Sequence, residues 1–176
     1  MGTSKKQSKK YKPPLRIWEK TRIDRDIALR KKYGFKNKKE LWKVESRLRN
    51  IRKRARDLVS LKALNAGKLE EKEFIKKLNS LGLVKEDATV DDVLDLKLED
   101  LLSRRLQTLV ANKGMARSIR EARQLITHRH IEVNGKLIDT PSYIVKKDEG
   151  ERIKFTENSP LASEGHPIRA GVKKTE

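Results

Sequence analysis

The sequence predicts an α+β protein, predominantly α-helical, in which a basic helical N-terminal region precedes a small unit of two helices and a β-hairpin. Three observations carry this. Apolar residues recur at helical spacing through most of the first hundred positions. The period changes from helical to two just after His128. The Asn134-Gly135 pair that follows is the strongest short hairpin signal in the chain, because both residues tolerate the positive φ of a type I′ turn.

A chain of 176 residues suits one domain or two small ones. Apolar residues make up 35%, about 40% with the nine glycines, below the usual range, so the protein is surface-rich. Lys and Arg number 44 against 25 Asp and Glu, a net charge of +19, which favours a polyanionic partner, either nucleic acid or an anionic membrane surface. No run of about 18 apolar residues exists to span a bilayer, and the opening "MGTSKKQSKKYKPPLRIW" has no apolar core of a secretory signal. The absence of cysteine excludes disulfides, thiolate chemistry and Cys-ligated zinc. A soluble, cytoplasmic protein without a cofactor is expected.

The charge is clustered. Residues 1–16 carry six Lys/Arg and no acid; residues 86–100 carry seven acids against Lys97; residues 103–136 carry eight Lys/Arg against Glu121 and Glu132. Clustering of one sign, more than excess alone, marks a binding face. Residues 1–16 form a basic arm, stiffened by Pro13 and Pro14, in which Lys9, Lys10 and Tyr11 offer charge and one stacking ring; it is either a solubilising tail or a segment that orders on RNA.

A helical domain is expected over 17–100. Its first helix runs from about Trp18 to Tyr33 and stops at Gly34. Asn37 with Glu40 three residues on starts a second, along which Leu41, Val44, Leu48, Ile51, Ala55 and Leu58 form an apolar stripe. Arg47, Arg49, Arg52, Lys53, Arg54 and Arg56 occupy its other faces. So many like charges would repel one another on a free helix, which favours a phosphate-facing surface over a merely solvated one. Gly67 is expected to end that helix. A third spans roughly Glu70 to Ser80, and the acidic run leads into a helix with Leu98, Leu102, Leu106 and Leu109 inward, closed by Gly114.

Ser118 with Glu121 is a capping box, so a helix starts at 118 with Ile119, Ala122, Leu125 and Ile126 inward. Arg117 and Arg120 stand beside its free N–H groups, a ready phosphate site. After the Asn-Gly hairpin, "SYIVKK" and "RIKF" read as a second strand pair about the Asp148–Gly150 turn.

The stretch "SRRLQTLVANKGMARSIREARQLITHRHIEVNGKLIDTPSYIV" resembles the small RNA-binding module named after ribosomal protein S-four. The shared pattern stands here as Ser118, Ala122-Arg123, Leu125-Ile126, His128, Ile131, Val133-Asn134-Gly135 and Pro141-Ser142-Tyr143. Many members place Arg directly after the serine, whereas this chain has Ile119, a form similar to the archaeal and eukaryotic branch. The basic opening and the "KNKKELWKVESRLRNIRKRARDLVSL" helix resemble the N-terminal part of the S-four ribosomal family of archaeal type, so the resemblance spans most of 1–155.

The resemblance implies an RNA-binding domain over 101–156, followed by a tail at 157–176, and a structural protein of the small ribosomal subunit that binds ribosomal RNA. It further implies early nucleation of subunit assembly and an S-five-type protein neighbour at an interface tied to translational accuracy. The expected RNA contacts in the module are Arg104, Arg105, Lys113, Arg117, Ser118, Arg120, Arg123, Gln124, His128, Arg129, His130, Asn134, Lys136 and Tyr143. Arg123→Glu is expected to weaken RNA binding and leave the melt nearly unchanged.

Other chemistry weighs less. His128, His130 and Glu132 would share a face on a strand as a two-His-one-carboxylate metal set, but no carboxylate is evident to orient either ring; hydrogen bonding or stacking on RNA, or burial of one ring, are the competing readings. Ser118 has a helix to cap and is a poor nucleophile, and no Gly-rich phosphate loop is present. Neither a metal nor a catalytic residue is expected. An RNA-modifying or stress-response protein carrying the same module is the alternative function, and a regulator outside the ribosome a third.

Overall fold

The computed structural model describes residues 9–63 and 68–163. The first eight residues of the arm, the helix end expected at Gly67 and the tail beyond residue 163 lie outside these. The N-terminal half is built on two long helices. Helix α1 (Lys20–Tyr33) ends at Gly34, whose left-handed φ of 63° lets its N–H return to the Arg30 carbonyl. Helix α2 (Lys38–Ala63) starts where Asn37 Oδ1 accepts the Glu40 N–H at 3.1 Å, while the Glu40 carboxylate accepts the Lys36 N–H. Its expected stripe is the buried one: Leu41, Leu48, Ala55 and Leu58 are buried, with Val44 and Ile51 half-buried.

Helices α3 (Lys68–Ser80), α4 (Val90–Asp95) and α5 (Leu98–Ser103) pack on α2. Two acids of the 86–100 run have structural duties here. Asp92 accepts the Thr89 N–H and Asp100 the Lys97 N–H, each at 2.7 Å, so they start α4 and α5 against the positive end of each helix. One core joins Leu29, Tyr33, Phe35, Leu41 and Leu48 to Leu78, Val93, Leu101 and Leu102. Each fully buried leucine contributes about 1.5–3 kcal/mol of apolar transfer.

The single helix expected across Leu98–Lys113 is two. It breaks at Arg104 and Arg105, and α6 (Leu106–Asn112) follows. Arg104 stays near the helical region, but Arg105 is extended and bridges to Ile144: Leu106 N–H donates to the Tyr143 carbonyl at 2.8 Å and Val145 N–H to the Arg104 carbonyl at 3.0 Å. Leucines four apart read the same whether or not the backbone is interrupted between them, so the stripe could not reveal the break.

Helix α7 (Ile119–Thr127) packs on α6, and a three-stranded antiparallel sheet covers the pair. Strands β1 (Ile131–Val133), β2 (Lys136–Leu137) and β3 (Ile153–Phe155) lie in the order β2-β1-β3. Val133 faces Lys136 across the two-residue turn, where Asn134 and Gly135 have φ of 53° and 73°. The expected pairing of "SYIVKK" with "RIKF" does not form. β3 pairs with β1 instead, because residues 143–145 are spent on 104–106. The turn between is closed by Glu149, which accepts from Lys146 N–H and Tyr143 Oη. The second core joins Leu106, Val110, Ala122, Leu125, Ile126, Ile131, Val145 and Ile153. Leu161, on a 3-10 turn at Pro160–Ala162, completes it.

Candidate nucleic-acid interface

Where the two cores meet, basic residues expected to face RNA turn inward. Arg105 is only 2% exposed, its guanidinium 4.5 Å from the centre of the Phe35 ring and 3.9 Å from Glu40. Burial pushes its pKa down to about 10, partly offset by Glu40. It remains a cation at neutral pH. Arg123 grips the same carboxylate with two bonds, Nη2 to Oε1 at 2.7 Å and Nη1 to Oε2 at 3.0 Å. Burial pushes the Glu40 carboxyl up, but the hydrogen bonds and charge of Arg123, the Lys36 N–H and the charge of Arg105 outweigh it, leaving the pKa below 4.5.

Five further expected contacts have internal duties. Arg104 donates to the Leu81 and Val145 carbonyls; Arg52 donates to the Leu96 carbonyl at 2.6 Å; and Arg54 pairs with Glu70 at 2.7 Å. Tyr143 donates its hydroxyl to Glu149, and burial followed by that bond raises its pKa. Tyr11 rests against Trp42, ring centres 5.9 Å apart, so one of its faces is already covered. In each case a long side chain that the sequence shows as a charge or a ring finds a carbonyl, a carboxylate or a second ring within the chain.

What remains outside forms two surfaces. On α2, Arg49, Lys53 and Arg56 stand at i, i+4 and i+7 on an exposed face. Arg49 and Arg56 line one shallow depression with Arg25 of α1 and the carbonyl-bound Arg52, around the single carboxylate Glu45. Burial first, and Asp26 next, raise the Glu45 pKa. Arg25 escaped the sequence reading; its place on the first helix gave no hint that it joins the α2 cluster. Arg47 is also exposed, on the side of α2 that faces α3.

The second surface belongs to the module. Arg117 and Arg120 are exposed at the start of α7, where the Ser118 hydroxyl accepts the Glu121 N–H at 3.2 Å and Glu121 accepts the Arg117 N–H. Ser118 is therefore occupied as a cap. Lys113 donates to the Glu151 carbonyl, and Lys136 is exposed on β2. At the other end of α7, Gln124, His128 and His130 line one concavity with Leu161. The two imidazoles stack at 6.4 Å, and His130 Nδ1 lies 2.9 Å from Ser159 Oγ. Arg129 is exposed beside them, 3.7 Å from Asp139. Asn134 serves the turn and accepts from Arg152 at 3.1 Å. Lys9 and Lys10 are exposed on the arm. Among the described residues, no group of three His, Cys, Asp or Glu side chains is placed to hold a metal ion, and no helix is long and apolar enough to cross a membrane.

Ile119, the departure from the S-four pattern, packs against the end of α1. A Cβ at Gly34 would lie 2.5 Å from its Cγ2 and 2.6 Å from Gln107 Nε2. Gln107 is wholly buried and bridges the halves, donating to the Gly34 and Ile119 carbonyls. An apolar residue after the serine thus serves the joint between the two cores.

Comparison with known proteins agrees with this architecture. The family model described as the S4 domain matches residues 104–153. The small ribosomal subunit protein uS4 of Thermoplasma acidophilum is 48% identical over 175 residues, 98% of this chain and 87% of that protein. Its counterpart in Methanococcus aeolicus is 49% identical over 170 residues, 96% of each chain. That of Nanoarchaeum equitans is 46% identical over 172 residues, 97% of this chain and 96% of its own. With near-complete coverage at this identity, the chain belongs to the uS4 family of small ribosomal subunit proteins.

Proposed function

We propose that this chain is a structural constituent of the small ribosomal subunit that binds its ribosomal RNA by charge and shape, without turnover. The observation that carries this is the segregation of its cations. Arg104, Arg105 and Arg123 tie the fold together, while Arg25, Arg49, Lys53 and Arg56 on one side and Arg117, Arg120, Arg129 and Lys136 on the other stay outside. Two rigid basic faces suit a junction of RNA helices, where each cation displaces condensed counterions and the histidines and Gln124 add local hydrogen bonds.

Two finer readings follow from family resemblance: early binding that nucleates assembly of the subunit body, and contact with an S-five-type neighbour that affects translational accuracy. The exposed Asp87, Asp91 and Asp95, which have no capping duty, offer an acidic face to a basic surface of a protein neighbour. The cytoplasm is the corresponding location. Sedimentation through a high-salt gradient tests the main reading: the protein is expected with the small subunit, and recovery only at the top of the gradient refutes it. Modified nucleotides produced on ribosomal RNA by the purified protein would instead favour an enzyme.

A further inference from the structure

Three of the most exposed large apolar side chains of the described region stand together just before α1, whereas Leu69 and Leu137 are exposed singly elsewhere. Leu15 is fully exposed, Trp18 88% and Ile17 62%. Water contact on this scale at adjacent residues marks a binding surface, and the backbone that presents them is held from both ends. Upstream, Tyr11 lies on Trp42 and Lys12 N–H donates to the buried Ser46 Oγ at 3.0 Å. Downstream, Arg22 Nη2 donates to the carbonyls of Arg16 and Ile17, each at 3.0 Å, and Nη1 lies 3.6 Å from Asp26, which is 2% exposed. A buried carboxylate thus steadies the arginine that clips residues 16 and 17, and the indole is left facing outward.

The charge around the indole indicates what covers it. Between residues 9 and 19 stand Lys9, Lys10, Lys12 and Arg16, all exposed, against the single acidic residue Glu19. A protein partner would need an acidic rim to meet them, whereas a nucleic-acid strand brings a phosphate for each cation and a flat base for the ring. Tyr11 and Trp42, the neighbouring aromatics, are turned toward each other; Trp18 is the ring left over. We propose that Trp18, with Leu15 and Ile17 at its edge, is a stacking platform for an unpaired nucleobase, its backbone phosphates held by Lys12 and Arg16. This rests on the ribosomal-RNA reading above and adds to it a single-stranded element recognised outside the S4 domain.

The chain has two tryptophans, so Trp42→Phe leaves Trp18 as the only indole. The full chain is titrated with a single-stranded oligouridylate and, at equal salt, with a continuous RNA duplex. The expected result is a solvent-exposed Trp18 emission that the single strand quenches strongly and the duplex does not. Trp18→Ala weakens single-strand binding roughly five- to a hundredfold, the loss of one base–aromatic stack, and Trp18→Phe restores most of it. If Trp42→Phe perturbs the fold, the difference between wild-type and Trp18→Ala emission reports the same quantity. Emission unchanged at saturation, or equal single-strand affinity for Trp18→Ala, overturns the platform. So does a blue shift without quenching that follows self-association, which would mean an apolar protein cover. Failure of the wild-type chain to bind either RNA refutes the ribosomal-RNA reading itself, while intact duplex binding with an indifferent Trp18 removes only the platform.

Discussion

Glu40 is one carboxylate shared by two guanidinium groups, and its removal would leave Arg105 buried without a counter-charge. Taking one partner from such a cluster costs more than the intact cluster contributes, because the remaining ion has lost water and gained nothing in return. Glu40→Gln is therefore expected to destabilise the fold by about 3 kcal/mol, read from the urea midpoint at pH 7. Its pH dependence has a definite sign. The folded pKa lies below 4.5, so the carboxylate's contribution is fully present above the unfolded value and disappears as pH falls through the folded one. The gap between wild type and Glu40→Gln should be constant from neutrality to about pH 5 and close only below that; a gap already closing near pH 6 would show that Glu40 does not act through its ionised form. The same geometry reverses the expectation for Arg123. Arg123→Glu sets a second carboxylate against Glu40, so a clear loss of thermal stability is expected. An unshifted melt together with lost RNA affinity would return Arg123 to the RNA surface.

At the scale of elements, helix α7 shows how far local chemistry was legible. Half of its expected capping box formed: Ser118 accepts from Glu121 N–H as its spacing implied, while the Glu121 carboxylate takes the Arg117 N–H. Ser118→Ala should cost about 1 kcal/mol in the melt and leave RNA binding intact if the hydroxyl only caps. Its C-terminus was legible in place, since the period changes just after His128, but not in form. There Arg129 N–H donates to the Ile126 carbonyl and His130 N–H to the Leu125 carbonyl, both at 3.0 Å, a Schellman pair with Arg129 at φ 62° where glycine is usual. Without the glycine, nothing in the residue pattern announced it. An arginine kept in the left-handed region at a cost of about 1 kcal/mol is better explained by what its exposed guanidinium does than by folding. Arg129→Gly should raise stability by up to about 1 kcal/mol and lower affinity for ribosomal RNA. Stability gained with affinity unchanged would make Arg129 a bystander. The strand exchange and the interrupted α5–α6 helix were hidden for a related reason: both depend on residues 104–106 meeting 143–145, and periodicity reports local faces, not pairing between segments some forty positions apart.

For the whole molecule, a net charge of +19 identified the kind of partner but could not sort the cations that bind from the cations that build. Burial and pairing sort them. Arg105 is lost to the interior, while Arg52, Arg54, Arg104 and Arg123 are held by groups of the chain itself. Salt dependence turns this division into a measurement. If about eight phosphates are engaged, log affinity for ribosomal RNA should fall against log salt with a slope of roughly −6 to −7. Replacing Arg49, Lys53 and Arg56 together by Gln removes three exposed charges from one face of α2. The slope should then flatten by roughly 2–3, with the melt unchanged within about 0.5 kcal/mol, as for surface substitutions generally. Arg104→Gln should do the opposite, lowering the melt through the lost bonds to Leu81 and Val145 and leaving the slope of the folded fraction as it was. An unaltered slope in the triple variant would move the RNA off α2 and leave the S4 module as the main binding face. A flattened slope in Arg104→Gln would mean that RNA reaches the joint between the two cores.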